Sequence, residues 1–74
     1  MLITIKNFIN EINEMNNKEA VSLITDSMRL REDLGLDSMD LAILTAKIED
    51  KYNVDVFEDG IVNTIGEIIA KLEK

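Results

Sequence analysis

Cysteine and histidine are both absent from this 74-residue chain. Without cysteine there is no disulfide framework and no thiolate-bound metal. Without histidine the commonest general base and the commonest metal ligand are missing. Both absences argue against a self-sufficient enzyme. Proline is absent too, and there are only three glycines, so the chain reads as folded rather than disordered. No run of 18 apolar residues occurs, which removes a membrane span. Nor does the N-terminus show a basic region, an apolar run and a small-residue cleavage site in succession, so no secretion signal is expected and the setting is expected to be cytoplasmic. Positive charge is scarce: 15 acidic residues face 8 basic ones, a net charge of −7. Such a chain repels phosphate backbones, which argues against nucleic acid or an anionic membrane as the main partner. Basic proteins are its natural partners. The length suits one domain, residues 1–74, expected to be a monomer with a core near the lower limit for a chain without staples.

What the sequence does contain is helical spacing. Ile5, Phe8, Ile9, Ile12 and Met15 recur at three- and four-residue steps and predict a first helix over 2–15, with Asn16-Asn17 as its stop. Residues 16–36 predict a long loop. Ala20 to Ile24 leave room for a short helical turn, and Thr25-Asp26-Ser27 is turn chemistry. Met28, Leu30, Leu34 and Leu36 are spaced like a strand, but a lone strand has no evident pairing partner. They are expected to pin the loop to the core. A loop this long in so small a domain is often functional.

Gly35 marks a break, after which Asp37 or Ser38 is expected to cap a second helix ending at Asn53. That helix carries two apolar stripes at about 100° per residue. Leu41, Leu44, Thr45, Ile48 and Tyr52 form one; Met39, Ala42, Ile43 and Ala46 form the other, nearly opposite. One stripe suffices to bury the helix, so the second is either covered in a tightly packed bundle, a harmless row of exposed small residues, or a docking face whose methionine adapts to several partners. Val54 to Phe57 predict an extended connection, and Glu58 to Asn63 one helical turn at best. Thr64 and Glu67 have capping-box spacing ahead of a last helix with Ile65, Ile68, Ile69 and Leu72 on its apolar face. The expected fold is all-α: a small bundle of three main helices plus a short fourth, with a long loop after the first.

Two chemical readings of single segments are weak. Asp55 to Gly60 looks briefly like a calcium loop, but Phe57 takes a ligand position and Gly66 stands where the loop needs Glu. No metal site is expected. Ser38 lacks any adjacent base, so it is no nucleophile by itself. The ordinary explanation for a serine there is a helix cap, in which case the protein is an unmodified interaction module. A phosphate on Ser38 would in turn be welcome at a helix N-terminus.

The longer string Asp33-Leu34-Gly35-Leu36-Asp37-Ser38-Met39-Asp40, followed by a helix and Ile48-Glu49-Asp50-Lys51-Tyr52-Asn53-Val54, resembles the acyl carrier proteins over nearly the whole chain. The resemblance implies a non-enzymatic carrier with a 4′-phosphopantetheine arm on Ser38. A separate phosphopantetheinyl transferase would install the arm from coenzyme A with magnesium, making the chain a phosphoprotein. Acyl-loading and acyl-transferring enzymes of fatty-acid, polyketide or related cluster biosynthesis would be the further partners. They would meet Asp37, Met39, Asp40, Ala42, Ile43, Ala46, Glu49 and Asp50. Leu44, Ile48, Ile61 and Ile65 would line the interior space for the cargo. Ile43 stands where fatty-acid carriers commonly have an acid, Lys47 adds a positive charge, and Phe57 replaces a common proline. These departures imply a specialised member. Asp-Ser-Met also occurs in D-alanyl carriers, which keeps an aminoacyl cargo and its loading enzyme open.

Overall fold

A computed structural model describes residues 1–58, 60 and 62–73. It holds three helices and, among the described residues, no strand: α1 is Leu2–Met15, α2 is Ser38–Tyr52 and α3 is Ile65–Leu72. The all-α bundle with a long first loop is the one its spacing predicts. The connection expected to be extended over Val54 to Phe57 is instead turn-like from Val56 onward, and in the segment expected to hold the short fourth helix the described residues Glu58, Gly60, Val62 and Asn63 are in no helix. Asp59 and Ile61, on which the rest of that expectation falls, lie outside the described residues.

In α1, Ile5, Ile9 and Ile12 are completely buried and Phe8 packs at the core's margin. Met15 does not join them and is 63% exposed. At about 100° per residue it falls near 90° from the centre of the buried arc. The helix stops as its asparagines suggest. Asn17 takes φ +58, the Asn17 N–H donates to the Glu14 carbonyl, and the Lys18 N–H reaches back to the Asn13 carbonyl at 2.8 Å. This is the Schellman pattern, which satisfies carbonyls a helix end leaves without partners.

The long loop is held down rather than helical. Asn10 does for Val21 what a neighbouring strand would do: its Oδ1 accepts from the Val21 N–H at 2.8 Å and its Nδ2 donates to the Val21 carbonyl at 3.1 Å. No helical turn forms over 20–24, though Ile24 is buried. Leu30, Leu34 and Leu36 enter the core as expected. The expectation that this apolar run finds no strand-like partner is corrected. Arg29 and Thr64 form an isolated antiparallel bridge, with the Leu30 N–H donating to the Asn63 carbonyl at 2.8 Å and the Ile65 N–H to the Met28 carbonyl at 3.0 Å. The bridge seats the loop on the N-terminus of α3. Close approach continues at Gly66, whose N–H donates to the Asp26 carbonyl at 2.8 Å.

Residues 30–34 turn back on themselves, and Gly35 at φ +70 releases the chain into α2. Helix α2 buries Leu44 and Ile48, and Asn53 ends it at φ +59. Its N-terminal Asp40 meets Asn16 beyond the end of α1, while its later Lys47 meets Glu11 within α1. Contacts step back along α1 as they step forward along α2, so the two helices run antiparallel. Helix α3 buries Ile65 and Ile68. Its cap is half a capping box: Thr64 Oγ1 accepts from the Glu67 N–H at 3.2 Å, and the Glu67 carboxylate accepts from the Thr64 hydroxyl rather than from the backbone.

Candidate functional site

The N-terminus of α2 is fixed by two aspartates three residues apart. Asp37 is the cap: its Oδ1 accepts from the Asp40 N–H at 2.9 Å, and Asp40 Oδ2 accepts from the Asp37 N–H at 3.2 Å. Each carboxylate thus serves the other's backbone, and two of the donors at a helix start are satisfied. Ser38 therefore does not cap; it is the first helical residue. The ordinary explanation for its hydroxyl is removed by the aspartate before it.

Asp40 is 4% exposed, so it is corrected from a partner-facing acid to a structural one. Its Oδ1 accepts from Asn16 Nδ2 at 2.9 Å, which clamps the end of α1 to the start of α2. The Asn16 hydrogen bond holds the carboxylate below the usual range. Burial pushes the other way, while the Asp37 N–H and the charge of Lys18 add to the lowering. Lys18 Nζ also donates to the Gly35 carbonyl at 3.1 Å, tying the loop to the turn that precedes Ser38. The serine stands on a base fastened at three points.

The Ser38 side chain is exposed, and its Oγ accepts from Arg31 Nη2 at 2.8 Å. Arg31 can donate but not accept, so it cannot act as the base a nucleophilic serine needs. From the two residues opens a groove of about 710 Å³, lined further by Leu41, Ala42, Thr45, Asp55, Phe57 and Val62 among others. The site offers an accessible oxygen, a cation beside it and a half-apolar channel. Among the described residues, none is hydrogen-bonded to the oxygen as a base that could activate it.

The second stripe of α2 is largely open. Met39 is 73% exposed, Ala42 and Ala46 are exposed, and Ile43 alone tucks partly against the core. Glu49 and Asp50 are exposed and share a shallow depression with Ala46 at the far end of the helix. Lys47, read from sequence as a positive charge near this face, is drawn away by an ion pair with Glu11 at 3.0 Å. Leu44, Ile48 and Ile65 do come together, but as completely buried core. Ile61 lies outside the described residues. Arg31, Asn16 and Lys18 carry the site's geometry and escaped the sequence reading as site residues, because Arg31 acts across a turn and the other two across the long loop.

The family model described as a phosphopantetheine attachment site matches residues 4–72. The chain belongs to the acyl carrier protein family. An acyl carrier protein of Thermotoga maritima is 34% identical over 55 residues, covering 72% of this chain and 68% of that protein. One of Phytoplasma australiense is 38% identical over 53 residues, covering 69% and 70% respectively. No solved structure matches the chain significantly. Membership makes the chain a carrier of covalently attached phosphopantetheine and not an enzyme. The structure accommodates such a group: an exposed hydroxyl, an adjacent guanidinium that suits a phosphate, and an open groove leading from both. Among the described residues, no helix is long and apolar enough to cross a membrane.

Proposed function

We propose that Ser38 is the residue that takes the arm, and that the chain presents an acyl thioester on it to partner enzymes of fatty-acid, polyketide or related biosynthesis. The observation that carries this reading is the division of labour at the start of α2. Asp37 does the capping, which leaves the neighbouring serine exposed, uncommitted to the helix and without a base.

Loading then requires a partner. The Ser38 oxygen bonds to the phosphorus that carries the pantetheine arm, the pyrophosphate bond of coenzyme A breaks, and the nucleotide portion departs with the electron pair. The hydroxyl proton passes to a base supplied by the transferase. Arg31 already occupies an acceptor position on the oxygen, so the O–H is free to face that base. The thiol belongs to the arm, so the chain needs no cysteine of its own.

The docking face is Met39, Ala42 and Ala46, with the partly covered Ile43 beside them and Asp37, Glu49 and Asp50 supplying charge that steers basic partners. For cargo, Leu44, Ile48 and Ile65 offer a close-packed interior, so a chain entering there has to part α2 from α3. The groove beside Ser38 is the open alternative. A small domain with a long irregular loop opens locally at low cost.

The test is intact mass after incubation with coenzyme A, magnesium and a broad-specificity phosphopantetheinyl transferase. Wild type should gain the mass of one arm and Ser38→Ala none. No gain in wild type, or a gain that survives the substitution, removes Ser38 as the attachment residue.

A further inference from the structure

Two arginines flank Leu30, and the fold uses them differently. Arg29 Nε lies 3.3 Å from Asp33 Oδ2 and 3.7 Å from Glu32 Oε2, a pair of exposed ion bridges along the turn. Arg31 has no carboxylate within ion-pair distance among the described residues. Its hydrogen bond goes to Ser38 Oγ at 2.8 Å. Leu30 and Leu34, both buried, pin the turn on either side of Arg31 and hold that residue beside the start of α2.

A guanidinium on a neutral hydroxyl is only partly used. It has five N–H donors in a planar fork, and one hydroxyl oxygen engages one of them. The partner that matches the fork is an oxyanion with two oxygens to offer, a carboxylate or a phosphate. Attachment of the arm creates that partner on the spot. The Ser38 oxygen becomes the ester oxygen of a phosphodiester, and the two non-bridging oxygens, which share one negative charge, sit two bonds from the atom Arg31 already touches, on the phosphorus attached to it. The surroundings otherwise oppose such a charge. Asp37 precedes the serine, Glu32 and Asp55 line the same groove, and the chain carries −7 overall. Arg31 is the cation that the groove lining supplies against them.

We propose that Arg31 clamps the phosphodiester of the attached arm and so fixes the direction in which the arm leaves Ser38, along the groove bounded by Leu41, Ala42 and Phe57. This rests on Ser38 being the attachment residue. Arg31 is a positioning residue for the arm. A partner that draws the arm into its own site must first release this clamp or supply a cation in its place.

The test uses protein loaded with the arm: wild type, Arg31→Lys and Arg31→Gln. The probe is the phosphorus resonance, referenced to a free phosphodiester of phosphopantetheine. In wild type it should be displaced from the reference and broadened, because the group is held. Arg31→Gln should lose the displacement and the extra width, and Arg31→Lys should retain part of both, since an ammonium attracts but does not fork. Identical resonances in wild type and Arg31→Gln overturn the clamp while leaving Ser38 as the attachment residue. Failure of wild type to carry the arm on Ser38 overturns both. Should Arg31→Gln resist loading, wild type decides by itself. Guanidinium nitrogen signals of Arg31 that change from averaged to separate on loading support the clamp, and signals unchanged between apo and loaded protein overturn it.

Discussion

Removing the Asp40 side chain should cost the fold far more than an acid on a partner-facing helix would. In the structure this carboxylate is almost wholly buried and accepts from two donors, Asn16 Nδ2 at 2.9 Å and the Asp37 N–H at 3.2 Å. The first is a hydrogen bond to a charged group that joins two helices, worth about 1.5–3 kcal/mol. The second is half of a capping box, worth about 1 kcal/mol. Asn16 is exposed and recovers part of its loss from water. Asp40→Ala should therefore destabilise by about 2–3 kcal/mol, which in a domain of this size lowers the melting temperature by roughly 8–24 °C. Asp40→Asn keeps the shape and one acceptor but loses the charge and turns its NH2 toward the second donor, and should cost about 1–2 kcal/mol. The pH dependence has a definite sign. The folded carboxylate titrates below its unfolded value, so its stabilisation is complete above about pH 4 and is lost as the pH falls through the lower folded value. The gap between wild type and Asp40→Asn should narrow in that acid range. Thermal melts followed by far-ultraviolet circular dichroism check both. An Asp40→Ala protein melting within about 3 °C of wild type at pH 7 would refute the structural role of this residue.

Ser38→Ala should leave stability within about 0.5 kcal/mol of wild type, because Asp37 holds the cap; a loss near 1 kcal/mol in a denaturant titration would return capping to the serine. Gly66→Ala should destabilise by about 1 kcal/mol or more despite alanine's better helix propensity. A Cβ there would stand 3.1 Å from the Asp26 carbonyl oxygen, which cannot retreat without losing its bond to the Gly66 N–H; a stabilised variant would contradict that packing. Asn10→Ala should cost about 1–3 kcal/mol, since both polar groups of Val21 lose their partner, and amide exchange at Val21 should accelerate.

The helices were legible because their signals are local. Ile5, Ile9 and Ile12 mark α1, Thr64 and Glu67 open α3, and Asn17 and Asn53 take the left-handed geometry that ends α1 and α2. What escaped is set by residues distant in the chain. The bridge between Arg29 and Thr64 involves too few residues to leave any periodicity. Asp40 looked like a surface acid because its role depends on Asn16, beyond the end of another helix, and on its own place three residues after the cap. The same holds for Arg31: only the turn over 30–34 brings it to Ser38, and a spacing of seven residues announces nothing. The open stripe on α2 was legible, but Ile43's partial burial depends on packing that spacing alone does not specify.

The most direct measurement is peptide mapping of the loaded protein. Trypsin cuts after Arg31 and Lys47 and releases residues 32–47, a fragment whose only hydroxyl side chains are those of Ser38 and Thr45. Fragmentation of that peptide should place the whole added mass of the arm between Asp37 and Met39. An arm found on Thr45, on any other peptide, or on none would contradict the assignment of Ser38.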